Sequence, residues 1–345
     1  MKEINLESLV RNNVLALTPY SSARDEFTGG EGVFLDANEN PFPSNVNRYP
    51  DPHQRKLKKK IAELRSIDSD QMIIGNGSDE ILDLVFRAFC EPRKDFVVAI
   101  KPSYGMYNVL ANTNDVKLTE VSLDHDFDLD VDATLALSAG AKMIILCSPN
   151  NPTGNILSLD RISRILDEFN GLVLVDEAYI DFADSPSLLS LLNDYQNLMI
   201  SQTFSKAFGM AGIRVGVGYA HPSIVEVLNR IKPPYNVNTV SQELAFARLE
   251  NIDQVLSEVT QLKLERSRLI TYLEHNDHVF EVYPTDSNFV LFKVKDANKT
   301  YERLVEHKLI IRNRTSAYNC ENCLRLTVGT KEENNRFMEV FDTIN

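Results

Sequence analysis

An α/β fold follows from three features of this sequence. Between residues 96 and 220 short apolar runs alternate with stretches of helical periodicity. The runs are apolar at successive positions rather than at every second one. Beyond a long helical region ending near Glu274 the order of strands and helices changes. Strands that are apolar on both faces belong in a sheet covered by helices on both sides, and such sheets are mostly parallel.

Taken in order, the first forty residues carry the turn-rich segments Thr28-Gly-Gly-Glu-Gly32 and Asn38-Glu-Asn-Pro-Phe-Pro43 and read as an extended arm. A helix is predicted from Pro52 to Leu64. Another runs from Ser78 to Phe89, entered through Gly75-Asn-Gly77 with Ser78 or Asp79 as its cap. Strands are predicted at Phe96–Ile100, Met143–Cys147, Leu172–Val175, Leu198–Thr203 and Val215–Ala220, with helices near Tyr104–Ala111 and Leu159–Phe169 between them. A helical region from about Ser241 to Glu274 then leads to strands near Val279–Tyr283 and Phe289–Val294 and a helix near Asn298–His307. Strands near Leu309–Arg312 and Leu324–Val328 and a final helix complete an α+β pattern. The expected organisation is an arm over residues 1–40, a large domain over 41–250 and a small one over 251–345. The arm is expected to pack on the small domain or on a partner subunit.

Composition narrows the function. Of the 345 residues 43% are hydrophobic and 25% charged, as in ordinary globular proteins. The net charge of −13 is spread without a basic tract, which argues against nucleic acid as a partner. An acidic chain still binds small anions where Arg, Ser, Thr and backbone N–H groups converge. The N-terminus lacks a basic head followed by an apolar run, and no stretch has the length of a membrane span, so a cytoplasmic enzyme is expected. Cys90, Cys147, Cys320 and Cys323 are too few for a disulfide scaffold. Cys320-Glu-Asn-Cys323 has the spacing of half a zinc site or of a redox pair, but no second pair completes a metal site, and none is expected. His275 and His278 are expected at the surface near a helix end.

In a sheet of this kind ligands sit beyond the carboxyl ends of the strands, so the residues just after each apolar run are the candidates. Ser201-Gln-Thr-Phe-Ser-Lys206 and the following Ala-Phe-Gly-Met-Ala-Gly-Ile-Arg214 put a lysine among Thr203, Ser205 and Arg214, groups that hold a phosphate beside an amine. Burial there lowers the lysine pKa and favours the neutral nucleophile. Leu172-Val-Leu-Val-Asp176-Glu-Ala-Tyr179 ends a strand in a carboxylate, an anion suited to keeping a pyridinium nitrogen protonated. Ser148-Pro-Asn-Asn151-Pro-Thr-Gly154 offers the Asn151 amide to a ring oxygen. Gly75-Asn-Gly77-Ser78-Asp79 offers a phosphate cradle at a helix N-terminus. Glu80 stands where a dinucleotide fingerprint needs its third glycine, which disfavours that fold.

In order and spacing these four segments resemble the fold-type I pyridoxal 5′-phosphate (PLP) enzymes, the aspartate aminotransferase superfamily, over nearly the whole chain. The resemblance implies PLP held as a Schiff base on Lys206, with Asp176 at the pyridinium nitrogen. It implies Tyr179 and Asn151 at the ring oxygen, and Ser205, Arg214, Thr203, Asp79 and the backbone of Gly77 and Ser78 at the phosphate. It also implies an aromatic ring stacked on the cofactor, for which Tyr104 is favoured over Tyr107. Three further segments resemble the histidinol-phosphate aminotransferase branch: Leu17-Thr-Pro-Tyr20; Leu35-Asp-Ala-Asn38-Glu-Asn-Pro41 with Arg48-Tyr49-Pro50-Asp51; and Leu324-Arg325-Leu-Thr-Val-Gly-Thr330. That likeness implies transamination between L-histidinol phosphate and 2-oxoglutarate, yielding imidazole-acetol phosphate and L-glutamate in histidine biosynthesis, with no membrane partner. It implies a homodimer with shared sites, in which Tyr49 reaches the neighbouring subunit's cofactor phosphate and Tyr20 and Asn38 lie at the substrate. Arg325 would grip the substrate anion beside a second arginine, Arg312 or its rival Arg314. An aromatic amino acid aminotransferase or a phospho-amino-acid decarboxylase of the same fold is the alternative.

Overall fold

The computed structural model describes residues 2–18 and 32–344. Its larger sheet has seven strands: β1 (Met72–Asn76), β2 (Phe96–Lys101), β3 (Lys117–Ser122), β4 (Met143–Cys147), β5 (Leu172–Asp176), β6 (Leu198–Thr203) and β7 (Val215–Ala220). They lie in the order β1-β7-β6-β5-β4-β2-β3. The run β3-β2-β4-β5-β6 is parallel, while β7 is antiparallel to both β6 and β1. Reversing β7 brings its start, and the end of β1, to the edge where β4, β5 and β6 finish.

Both faces of this sheet are apolar because the pleat sends alternate side chains into two cores. From β4 and β5, Ile144, Leu146, Val173 and Val175 enter one core, which the helices Arg55–Arg65, Leu159–Glu168 and Thr239–Glu250 cover. Met143, Ile145, Leu172 and Leu174 enter the other, beneath Ser78–Phe89, Met106–Thr113 and Pro222–Ile231.

The smaller sheet is antiparallel throughout, in the order β10-β11-β9-β8: β8 (Val279–Val282), β9 (Phe289–Val294), β10 (Arg312–Asn313) and β11 (Cys323–Thr327). Alternation divides β9 as well. Val290, Phe292 and Val294 build a third core with Leu304, Phe337 and Phe341, whereas Phe289 and Leu291 join the large unit's core. Arg325 pairs with Leu291 in register and so shares the face turned toward the large unit. The 23-residue helix Ile252–Glu274 links the two bodies: Val255 and Val259 belong to the large core, Leu269 and Leu273 to the small one. Between them the buried Arg266 donates to the carbonyls of Phe182 at 3.2 Å and Ser287 at 2.7 Å.

Four expectations are corrected. β1 and β3 are additional strands, and the region after Ser241 is two helices, Thr239–Glu250 and Ile252–Glu274, meeting at Asn251. The strand expected at Leu309–Arg312 is the short β10, because Leu309 closes the preceding helix by donating to Leu304 O. The described start of the arm lies on the large unit rather than the small one. Val10 and Val14 enter its second core, Arg11 N–H donates to Ala88 O, and Lys2 forms a bridge to Tyr195. Among the described residues no helix is long and apolar enough to cross a membrane.

Candidate active site

At the shared edge of β1, β4, β5, β6 and β7 a cavity of about 170 Å³ is lined by Ser78, Asp79, Tyr104, Asn151, Asp176, Tyr179, Thr203, Ser205, Lys206 and Arg214, with Cys147, Ala178 and Ala211. Ten of the residues singled out in the sequence thus meet in one place. Gly77 abuts them as the residue before the helix Ser78–Phe89.

Asp176 ends β5 and is 3% exposed. Ser201 Oγ and Tyr107 OH each donate to it at 2.9 Å, and burial pushes its carboxyl pKa upward against those bonds. Among the described residues it has no cationic partner within salt-bridge distance. A buried carboxylate held only by neutral donors is stabilised by a cation brought to it, and a protonated pyridine nitrogen has that character. Tyr107 and Ser201 are the residues that sequence reasoning missed as its holders. Tyr107 lies on the helix Met106–Thr113, three residues after Tyr104 in the loop before it, and Ser201 lies opposite Asp176 in the β5–β6 register. Tyr104 lines the cavity with its ring edge-on to Tyr107 at 5.6 Å, so the tyrosines divide the work: one borders the space and the other lies beneath it.

Lys206 follows β6, its Nζ 5.4 Å from the centroid of the Tyr179 ring. Burial, then the Arg325 guanidinium, holds its ammonium below the usual lysine range; Asp176 and Asp79 pull it back up, and Arg214 adds to the lowering. Thr203 and Ser205 hydroxyls lie 3.1 Å apart, and Arg214 Nη1 lies 3.4 Å from Ser205 Oγ and Nη2 3.6 Å from Asp79 Oδ2. Gly77 has φ +82° and provides no side-chain cap, leaving the N-terminus of a 12-residue helix turned toward this group. A Cβ on Gly216 of β7 would stand 2.3 Å from Ser78 N, so the close backbone approach depends on that glycine. Helix N–H groups, hydroxyls and one guanidinium form a donor set suited to a phosphate.

A second cationic group lies on the small sheet. Arg325 donates to Asn151 Oδ1, which leaves the Asn151 amide N–H groups as donors toward the cavity, and its guanidinium lies 4.9 Å from the Phe289 ring centroid. Arg312 stands opposite Arg325 in the β10–β11 register. Arg314 is half-buried, and the Nε atoms of both Arg314 and Arg325 are buried without a hydrogen-bond partner. Burial, with Arg314 and then Arg312 as like charges and Tyr179 opposing them, pushes the Arg325 pKa down to about 10. Among the described residues no carboxylate lies within salt-bridge distance of any of the three. Arg312 itself is exposed, whereas Arg314 is the neighbour that lowers Arg325 most.

Tyr49 and Asn38 are not brought to the Lys206 cavity. They line a different depression with Arg48, Asn238 and Thr239, where Tyr49 is 49% exposed and stacks on Tyr235 at 4.4 Å. Tyr20 lies outside the described residues.

Residues 36–341 match the family described as aminotransferase class I and II. The histidinol-phosphate aminotransferase of Christiangramia forsetii is 51% identical over 344 residues, covering 99% of this chain and 98% of that protein. Among solved structures, the histidinol-phosphate aminotransferase of Clostridium acetobutylicum superposes with a TM-score of 0.81 at 24% identity, covering 87% of this chain and 91% of that one. The enzyme of the same description from Sinorhizobium meliloti, in complex with pyridoxal-5′-phosphate, gives a TM-score of 0.80 at 23% identity and covers 90% of each chain.

Proposed function

The chain belongs to the class I and II aminotransferase family, and from that membership we propose that it is a PLP-dependent aminotransferase interconverting L-histidinol phosphate plus 2-oxoglutarate with imidazole-acetol phosphate plus L-glutamate. The observation that carries the choice of substrate is the pair of separate cationic groups: one beside Lys206 suited to the cofactor's phosphate, the other, around Arg325, free of carboxylates and suited to a second anion. PLP, when bound, withdraws electrons from the substrate's α-carbon through its pyridinium ring.

The chain's own groups do the rest. Asp176, held by Tyr107 and Ser201, keeps the ring nitrogen protonated. Asn151 and Tyr179 would donate to the ring oxygen, and Tyr104 would cover the ring. The backbone N–H groups of Ser78 and Asp79 next to Gly77, the Thr203 and Ser205 hydroxyls and Arg214 would hold the phosphate, with the Asp79 carboxylate turned to Arg214 and Tyr104. Lys206 would hold the cofactor through its amine, and that amine, kept toward its neutral form by burial, would be the group that takes the proton from the substrate's α-carbon. Arg325 and Arg314, with Arg312 at the rim, grip the phosphate of histidinol phosphate in one half-reaction and a glutamate carboxylate in the other. Two half-reactions in one pocket give ping-pong kinetics. Tyr49, Asn38 and Tyr20 complete the site from a homodimer.

Steady-state assays with histidinol phosphate, phenylalanine and threonine phosphate test the substrate. A marked preference for the first is expected; preference for phenylalanine identifies an aromatic aminotransferase, and loss of CO2 from threonine phosphate a decarboxylase. Borohydride reduction followed by peptide mapping should place the cofactor on Lys206, and Lys206→Ala should abolish both the label and transamination. A label on another residue, or turnover by that variant, refutes the site.

A further inference from the structure

Cys320 and Cys323 take no part in the chemistry above, yet the chain sets them up as a pair. Cys323 N–H donates to Cys320 O at 2.9 Å, and Asn322 between them has φ +59°, which together define a β-turn with its third residue left-handed. A β-turn holds its end Cα atoms within about 7 Å, and disulfides bridge Cα separations of about 4.4–6.8 Å. Both thiols are free and buried in the core between the two bodies. The hydrogen bond between them holds Cys323 below its usual thiol range and pushes Cys320 above it, with the Tyr283 hydroxyl 3.9 Å from Cys323 Sγ.

The same turn is tied to the second cationic group. Arg314 N–H donates to Cys323 O at 2.9 Å, Ala317 N–H to Arg314 O at 2.8 Å and Cys320 N–H to Ala317 O at 3.1 Å. Arg325 lies two residues beyond Cys323 on β11. These backbone bonds and β11 connect the cysteine pair to Arg314 and Arg325. Unpaired guanidinium groups bind an anion well only when held within a fraction of an ångström of the productive position.

We propose that Cys320 and Cys323 form a reversible disulfide by exchange with a low-molecular-weight disulfide, and that the closed bridge weakens anion binding at Arg314 and Arg325. Cys323 gives its proton to solvent and attacks one sulfur of the small disulfide, forming a mixed disulfide and releasing one thiolate. Cys320, losing its proton, attacks Cys323 Sγ and releases the second. The protein dithiol is oxidised by two electrons and the small disulfide is reduced to two thiols. Because both sulfurs are buried, exchange proceeds through opening of the turn, whose Ser316, Tyr318, Asn319 and Glu321 are exposed. The bridge itself does not depend on the activity proposed above; its effect on substrate does.

The test equilibrates holoenzyme in mixtures of reduced and oxidised glutathione, quenches in acid, and alkylates the unfolded chain. A peptide containing Cys320 and Cys323 should appear lighter by two hydrogens and unalkylated, with half-conversion at a defined ratio and full reversal by dithiothreitol, while Cys90 and Cys147 stay alkylatable. Two alkylatable thiols at the most oxidising ratio, or oxidation at Cys90 or Cys147 in their place, overturn the bridge. With the bridge closed, the Kd of holoenzyme for inorganic phosphate, read by calorimetry, and the KM for histidinol phosphate should rise several-fold with kcat within about twofold. Neither should change with buffer in Cys320→Ser/Cys323→Ser, nor in Cys320→Ala with Cys323→Ala should the serine pair fold poorly. An unchanged phosphate Kd in bridged protein overturns the coupling. A shifted phosphate Kd without histidinol phosphate turnover instead refutes the substrate assignment and leaves the bridge standing.

Discussion

The reactivity proposed for Lys206 comes from its surroundings. Burial and then Arg325 lower its pKa while Asp176 and Asp79 oppose them, so the neutral amine is present at lower pH than for an exposed lysine. The rate at which apoprotein captures PLP should therefore climb with pH through a range below that of ordinary lysine. Arg325→Gln removes a cation, raises the Lys206 pKa and should carry that limb to higher pH; a limb that stays in place shows that Arg325 does not act on the amine. Tyr107→Phe keeps the buried ring but takes one donor from Asp176. A hydrogen bond to a charged group contributes roughly 1.5–3 kcal/mol, so turnover should fall about ten- to hundredfold. Wild-type turnover in that variant would show Ser201 alone suffices. At this scale the sequence was legible where a polar residue ends or closely follows an apolar run, as Asp176 does at the end of β5 and Lys206 three residues beyond β6. Tyr107 lay hidden because a tyrosine within an apolar helix face looks the same whether its hydroxyl is idle or, as here, bonded to a carboxylate 69 residues away.

Among the elements, the junction of β1, β7 and the helix Ser78–Phe89 carries the phosphate cradle, and Gly216 decides how closely they meet. Gly216→Ala places a methyl against the backbone nitrogen of Ser78, which no rotamer relieves. Overpacking of this kind costs about 1–3 kcal/mol. The expected result is a lower Tm together with loss of most of the Tm gain that PLP confers on wild type; a full cofactor-induced gain would show that the cradle adjusts. The parallel strands β4, β5 and β6 were readable because each opens on at least three consecutive apolar residues. β1 was not, since its apolar run Met72-Ile73-Ile74 passes at once into Gly75-Asn76, which reads as the start of a turn. Nor was β3: Lys117-Leu-Thr-Glu-Val-Ser122 lies at the sheet edge, where one side is wet and alternation weak. The break at Asn251 is equally silent, because neither Gly nor Pro marks it in Arg248-Leu-Glu-Asn-Ile-Asp253.

For the whole molecule, the exposed Tyr49 and Asn38, remote from the Lys206 cavity of their own chain, fit a site completed by a second copy. Lys206→Ala and Tyr49→Ala proteins should each be poorly active alone. Mixed and reassembled at equal concentration, they should recover about a quarter of wild-type activity, since half of randomly formed dimers carry one intact site. No recovery in verified mixed dimers would mean that Tyr49 serves its own chain. In the sequence this arrangement is an expectation carried by the family-specific segments, since spacing within one chain does not address it.

Helix Ile252–Glu274 joins the two bodies as an axle fixed at both ends, with Arg266 as its bearing between the carbonyls of Phe182 and Ser287. An axle gripped in two hubs turns as one piece. Any tilt of the small body about it therefore swings Arg325 toward or away from Asn151, so that capture of the substrate's far end and alignment of the cofactor ring become one mechanical event.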